Sequence, residues 1–104
     1  YNGPMNCPGP VMAPDQFQQA LSTIKNKSFA DEQQTVAKQV LRNNCITVNQ
    51  LKQLLQVFSF EDDKLEMAKF AYDSTHDVGN YYLVNDVFTF SSSTEELEQF
   101  LNGR

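Results

Sequence analysis

Apolar residues recur three and four positions apart along most of this chain. Phe17, Ala20, Leu21 and Ile24 fall at i, i+3, i+4 and i+7, one stripe of an α-helix. Phe29, Val36, Ala37, Val40 and Leu41 mark a second helix, and Val48, Leu51, Leu54, Leu55 and Phe58 a third. The fourth carries Leu65, Ala68, Phe70, Ala71 and Tyr72, a broader apolar face that implies deeper burial. Tyr81, Val84, Val87 and Phe88 mark a fifth, and Leu97, Phe100 and Leu101 a sixth that stops near Gly103. The first fourteen residues hold all four prolines and no such period, so 1–13 read as an extended tail or linker and 14–104 as a single helical domain.

Polar residues punctuate these stripes. Ser28, Thr47, Ser59 and Ser93 each precede an acid or amide by three positions, the spacing of a capping box, in which each partner satisfies one orphan N–H of the first helical turn. Asp77 is placed to cap the fifth helix, with Gly79 easing the turn. The acids "EDD" at 61–63 and "EE" at 95–96 meet the positive ends of helix dipoles and need no ligand to explain them.

The helix starts repeat. Shifted by 31, residues 28–50 align with 59–81 with six identities in 23 pairs: Ser28/Ser59, Phe29/Phe60, Asp31/Asp62, Ala37/Ala68, Lys38/Lys69 and Asn49/Asn80. A shift of 30 then aligns Val57-Phe58-Ser59-Phe60 with Val87-Phe88-Thr89-Phe90. The chain therefore reads as three helical hairpins, roughly 14–42, 48–74 and 79–102, in a compact bundle or short stack. A Phe on each side of a corner suggests a hydrophobic staple that sets the turning angle.

Composition narrows the class. The 104 residues suffice for one domain, and 40% hydrophobic content suffices for a core. Thirteen acids against eight scattered basic residues leave no stripe for nucleic acid and no basic amphipathic face for anionic lipid. No apolar run reaches the roughly 20 residues of a membrane span. Cys7 and Cys45 allow two free thiols or one disulfide. The bridge is favoured, because an exposed thiol in "MNCPGPVM" is a liability and a bridge ties the tail down. That expectation carries an oxidising compartment with it. No signal peptide is visible, and the start at Tyr1 reads as a processed or trimmed product.

Residues 45–97 resemble the domain-of-unknown-function family 4476, which occurs in many Bacteroidetes proteins and some eukaryotic ones, often behind a signal peptide or lipoprotein anchor. Its blocks "FSFE..KL..AK.AY" and "D..NYY.V...F.FSSS" stand intact at 58–72 and 77–93. The upstream "NC-x-T-x-x-Q" segment matches at Asn44, Cys45, Thr47 and Gln50, and an N-terminal Cys followed by "M-x-x-x-x-F" matches Cys7, Met12 and Phe17. The likeness covers about residues 7–101. It implies a helical domain in an envelope or secreted protein and carries over no catalytic residue.

Few constellations offer chemistry. Cys45 and His76 sit at equivalent repeat positions, about one helix spacing (roughly 8–10 Å) apart, beyond hydrogen-bond reach for a nucleophile–base pair. Asp73, His76 and Asp77 in "DSTHDVGN" are weak metal candidates, since the spacing is not that of an EF-hand loop and cap or turn roles explain them. "SSSTEE" at 91–96 lacks the G-x-S-x-G context of a nucleophile, and no phosphate-binding glycine motif exists, so no cofactor is expected. Lys38 and Lys69 share a repeat position and suit snorkelling over the core rim. Tyr81 and Tyr82 point about 100° apart on a helix, so at least one reaches the surface. Tyr82 and Asn80, with Tyr81, are the binding candidates.

The expectation is an all-α domain of about six short helices in three repeated hairpins with one disulfide. Its expected use is as a non-catalytic binding or scaffolding module, monomeric, outside the cytoplasm (extracellular, periplasmic or cell-surface). Its expected partner is an unidentified protein or peptide, not nucleic acid and not a membrane interior. A purely structural stalk, a metal-binding domain and a small hydrolase are the alternatives.

Overall fold

The stripe Phe17–Leu21–Ile24 winds into α1 (Pro14–Lys25), with Pro14 in its first turn, where a missing N–H costs nothing. The computed structural model describes residue 7 and residues 9–103; the rest of the expected tail, residues 1–6 and 8, lies outside the described residues, as does Arg104. The chain continues through α2 (Ala30–Asn43), α3 (Val48–Leu55) and α4 (Glu61–Ala71). A 3-10 turn (Tyr72–Ser74), a ten-residue 3-10 helix (Val78–Val87) and α5 (Ser91–Asn102) complete it. The fold is all-α, and the chain reverses at the corners around 58–60 and 88–90.

The repeat is real and has a backbone signature. Short extended segments before α1, α3 and the 3-10 helix pair in parallel, Val11 with Cys45 and Ile46 with Thr75. The N–H of Met12 donates to Cys45 O (2.9 Å) and that of Cys45 to Pro10 O (3.0 Å). The N–H of Ile46 donates to Ser74 O (2.9 Å) and that of His76 to Ile46 O (2.8 Å). This ladder aligns the units, so α1, α3 and the 3-10 helix form one row. A second row is α2, α4 and α5. Its helices run parallel, because the contacts Gln34–Asp63 and Lys38–Phe70 advance in the same direction on both chains, as do Glu61–Phe90 and Lys69–Phe100. Each unit thus lends its apolar face to its neighbour, the arrangement that lets short helices bury a continuous core.

That core includes Leu41, Ile46, Leu51, Leu55, Phe58 and Val84, all essentially inaccessible. Met67, outside the expected stripe, is fully buried as well. The helix α4 packs against α2, α3 and α5, so its apolar face is broader than one stripe. The fifth element is a 3-10 helix and not an α-helix. Its buried residues Tyr81, Val84 and Val87 lie three apart, which a helix of three residues per turn stacks directly in line. Packing on α3 and the Tyr81 hydroxyl, which donates to Ala68 O, hold this uncommonly long run in place.

Helix capping departs from the sequence expectation. Thr47 forms the expected box: its side chain accepts from Gln50 N–H (3.2 Å) and Gln50 Oε1 accepts from Thr47 N–H (3.1 Å). Ser28 and Ser59 do not cap. The chain is still extended at Phe29 and Phe60, which occupy the N-cap positions, so each serine falls one residue too early. Ser93 lies inside α5, buried, with its hydroxyl donating to Glu61 (3.1 Å). Asp77 precedes the 3-10 helix but serves α3 instead, accepting from Val48 N–H (2.8 Å) while its other oxygen takes the Asn80 amide (3.1 Å).

The staple expectation also fails at its outer half. Phe58 is buried and Phe88 half-buried against the core, but Phe60 and Phe90 face solvent. A side chain at the N-cap leaves the chain before the first turn, pointing away from the pocket its partner fills. Cys7 and Cys45 form the disulfide, with Cα atoms 5.5 Å apart, normal for such a bond. Gly9 lies so close to the end of α2 that a Cβ there would meet Asn43 O at 2.5 Å.

Candidate functional site

Three phenylalanines stand out at one end of the α2–α4–α5 row. Phe29, Phe60 and Phe90 occupy the N-caps of these helices, with extended backbone (φ −121°, −101° and −102°). Their side chains are 73%, 70% and 60% exposed. Neither core nor cap needs them. N-caps favour Ser, Thr, Asp or Asn, whose oxygens take a first-turn N–H, and none of these three caps makes such a bond. The parallel helices bring the three together. Gln34 donates to Asp63 (2.8 Å) between the starts of α2 and α4. Glu61 Oε1 accepts from Thr89 N–H (2.7 Å) and Phe90 N–H (2.9 Å) between the starts of α4 and α5. With neighbouring helices about 8–10 Å apart, the three N-caps that carry these phenylalanines lie along a line about 20 Å long.

Carboxylates surround the row. Asp31 and Glu32 lie in the first turn of α2 and Glu61, Asp62 and Asp63 in that of α4, where the helix dipole favours them. Glu95 and Glu96 follow on α5. Glu61 has its pKa lowered, first by the Phe90 backbone N–H; desolvation opposes this, and Thr89 N–H, the Ser93 hydroxyl and Lys64 add to the lowering.

The tyrosine pair is divided. Tyr81 is a core residue, 5% exposed, edge-on to Tyr72 with ring centroids 5.0 Å apart. Tyr82 is 67% exposed, at the mouth of a cavity of about 130 Å³ between the 3-10 helix and α5, lined also by Asn85, Leu97 and Leu101. Asn80 is exposed and engaged by Asp77. Asp73, His76 and Asp77 are not gathered into a metal cradle: among the described residues, no three His, Cys, Asp or Glu side chains converge on one point. Cys45 is buried and disulfide-bonded, while His76 is exposed. Lys38 and Lys69 each lie over an aromatic ring of the next helix, Phe70 (5.4 Å) and Phe100 (5.7 Å), and Lys69 also pairs with Glu96 (2.8 Å). An amide-lined furrow of about 570 Å³ lies between α1 and α3, crossed by a Gln18–Gln53 hydrogen bond of 3.1 Å.

Sequence reasoning assigned Phe29, Phe60 and Phe90 to packing. The signal that separates them was present. The first corner repeats the outer Phe but has Lys27 where the inner Phe58 stands in the second. A Phe kept in all three units while its staple partner changes to Lys is not there for the staple.

Neither a curated protein nor a solved structure matches the chain. Residues 11–101 match the family described as Domain of unknown function (DUF4476). The match takes in α1 to α4, the 3-10 helix, all but the last residue of α5 and the three corner phenylalanines, and the chain belongs to the DUF4476 family.

Proposed function

We propose that this domain is a non-catalytic docking module of an exported or cell-envelope protein, and that its partner is a protein or peptide. The observation that carries the reading is the row Phe29–Phe60–Phe90. Large aromatic groups left in water at three equivalent positions, outside the core and against capping preference, are what an interface uses and a monomer avoids. The disulfide supports an oxidising compartment. The non-catalytic reading is supported by Cys45, whose sulfur is held in the disulfide.

A photo-crosslinking amino acid at position 60 of the full-length protein, compared with one at exposed Gln39, tests the reading in the source cell. A discrete adduct from position 60 alone, lost when Phe29 and Phe90 become Ser, is expected. Absence of any adduct specific to position 60 assigns the domain to a structural stalk.

A further inference from the structure

We infer that the phenylalanine row docks a basic amphipathic helix of another protein, with apolar residues about seven apart and Lys or Arg flanking them. This rests on the docking reading above, and its test separates the two.

The first argument is charge complementarity. Within the six residues that follow each of Phe29, Phe60 and Phe90 stand eight acids: Asp31, Glu32, Glu61, Asp62, Asp63, Glu66, Glu95 and Glu96. The same windows hold one basic residue, Lys64, so their balance is 1 − 8 = −7, more negative than the whole chain at −5. Some of these carboxylates already have partners: Glu61 holds the start of α5, Asp63 takes Gln34, and Glu96 takes Lys69. Asp31, Glu32, Asp62 and Glu95 remain exposed beside the rings. A partner must cover the phenyl groups and leave no acid facing an acid, which calls for cations next to apolar side chains.

The second argument is spacing. Helix starts about 8–10 Å apart, each carrying one of the phenylalanines, match side chains seven residues apart on a docked helix, which rises about 10 Å over that interval. A helix of about fifteen residues therefore meets all three.

The same field excludes two other occupants. A second copy docking through this row in a two-fold dimer sets acids against acids. Anionic lipid headgroups are repelled by it, whereas surface-binding helices use Lys and Arg to approach them.

The test is a fluorescence-anisotropy titration with an 18-residue Leu/Lys amphipathic helix, a Leu/Glu helix of the same pattern, and co-sedimentation with vesicles of phosphatidylcholine alone or with phosphatidylglycerol. The proteins are wild type, the triple variant Phe29→Ser/Phe60→Ser/Phe90→Ser, and the charge variant Asp31→Asn/Asp62→Asn/Glu95→Gln, each checked by thermal melting. Wild type is expected to bind the Leu/Lys peptide, the triple Ser variant at least tenfold more weakly, and the charge variant more weakly and with a shallower salt dependence. The Leu/Glu peptide and both vesicles stay unbound. Equal binding by wild type and the triple Ser variant overturns the inference, since charge alone then accounts for it. Phe-dependent binding of the Leu/Glu peptide overturns the basic partner while the docking row stands. Phe-dependent vesicle binding replaces the protein partner by a membrane surface, and binding of no probe by wild type overturns the inference outright.

Discussion

Phe60 sits where α4 needs an oxygen and supplies a ring. Its replacement by Ser puts a capping side chain in the N-cap three residues before Asp63, so Phe60→Ser is expected to raise stability by about 0.5–1 kcal/mol in urea unfolding. A Phe held by packing would give the opposite sign, which makes the measurement a check on the exposed geometry itself. Tyr81 behaves conversely. Its hydroxyl donates to Ala68 O inside the core, so Tyr81→Phe leaves a buried acceptor short of its partner and costs about 1–2 kcal/mol. Glu61 sets a pH dependence. Its folded pKa lies below the ordinary value of 4.5, so its contribution is fully present above the unfolded pKa and is lost as pH falls through the lower folded value. Glu61→Gln is therefore expected to flatten the fall in melting temperature as pH drops from the ordinary value of 4.5 to the lower folded value, and to leave the neutral-to-alkaline profile unchanged in shape.

At the level of elements, the units cap one another. Helix α3 takes its first-turn partners from its own Thr47 and from Asp77 in the following unit, and α5 takes its partner from Glu61 in the preceding one. Thr47→Ala removes one such partner, with an expected loss of about 1 kcal/mol. Asp77→Ala removes the other, and because both bonds serve the start of one helix, the double variant is expected to depart from additivity in a double-mutant cycle. The periodicity of Tyr81, Val84 and Val87 shows why the fifth element was read as α-helical. Three-apart spacing is common to both helix types, and only the lack of a buried residue at i+4, together with the packing surface of α3, selects the tighter form.

For the whole molecule, the decisive long-range link is between tail and second unit. The Cys7–Cys45 bridge closes a sequence separation of 38, and the backbone bonds of Pro10 and Met12 to Cys45 run beside it. Cys7→Ser, or reduction, is expected to lower stability by about 4 kcal/mol in the chain-entropy picture, read as a lower urea midpoint with a steeper slope, because the unfolded chain without its crosslink exposes more surface. Because each unit buries its face only against its neighbours, a core truncation such as Leu55→Ala, expected to cost about 2–5 kcal/mol, is felt along the stack and not in one hairpin alone.

Periodic apolar spacing by itself determined the α-helical stripes other than the fifth element, the corners at 58–60 and 88–90 and the threefold repeat, because a 3.6-residue period and a recurring Phe at each corner are local properties of the chain. The Cys7–Cys45 pairing was legible for a similar reason, two cysteines having one intramolecular choice. Tertiary structure alone decided which phenylalanine at each corner turns inward, that Asp77 serves α3, and that α2, α4 and α5 start at the same end. Those outcomes depend on which element lies alongside which. A side chain one residue before a helix is bound to nothing local, so only the placement of neighbouring units leaves Phe29, Phe60 and Phe90 together in water.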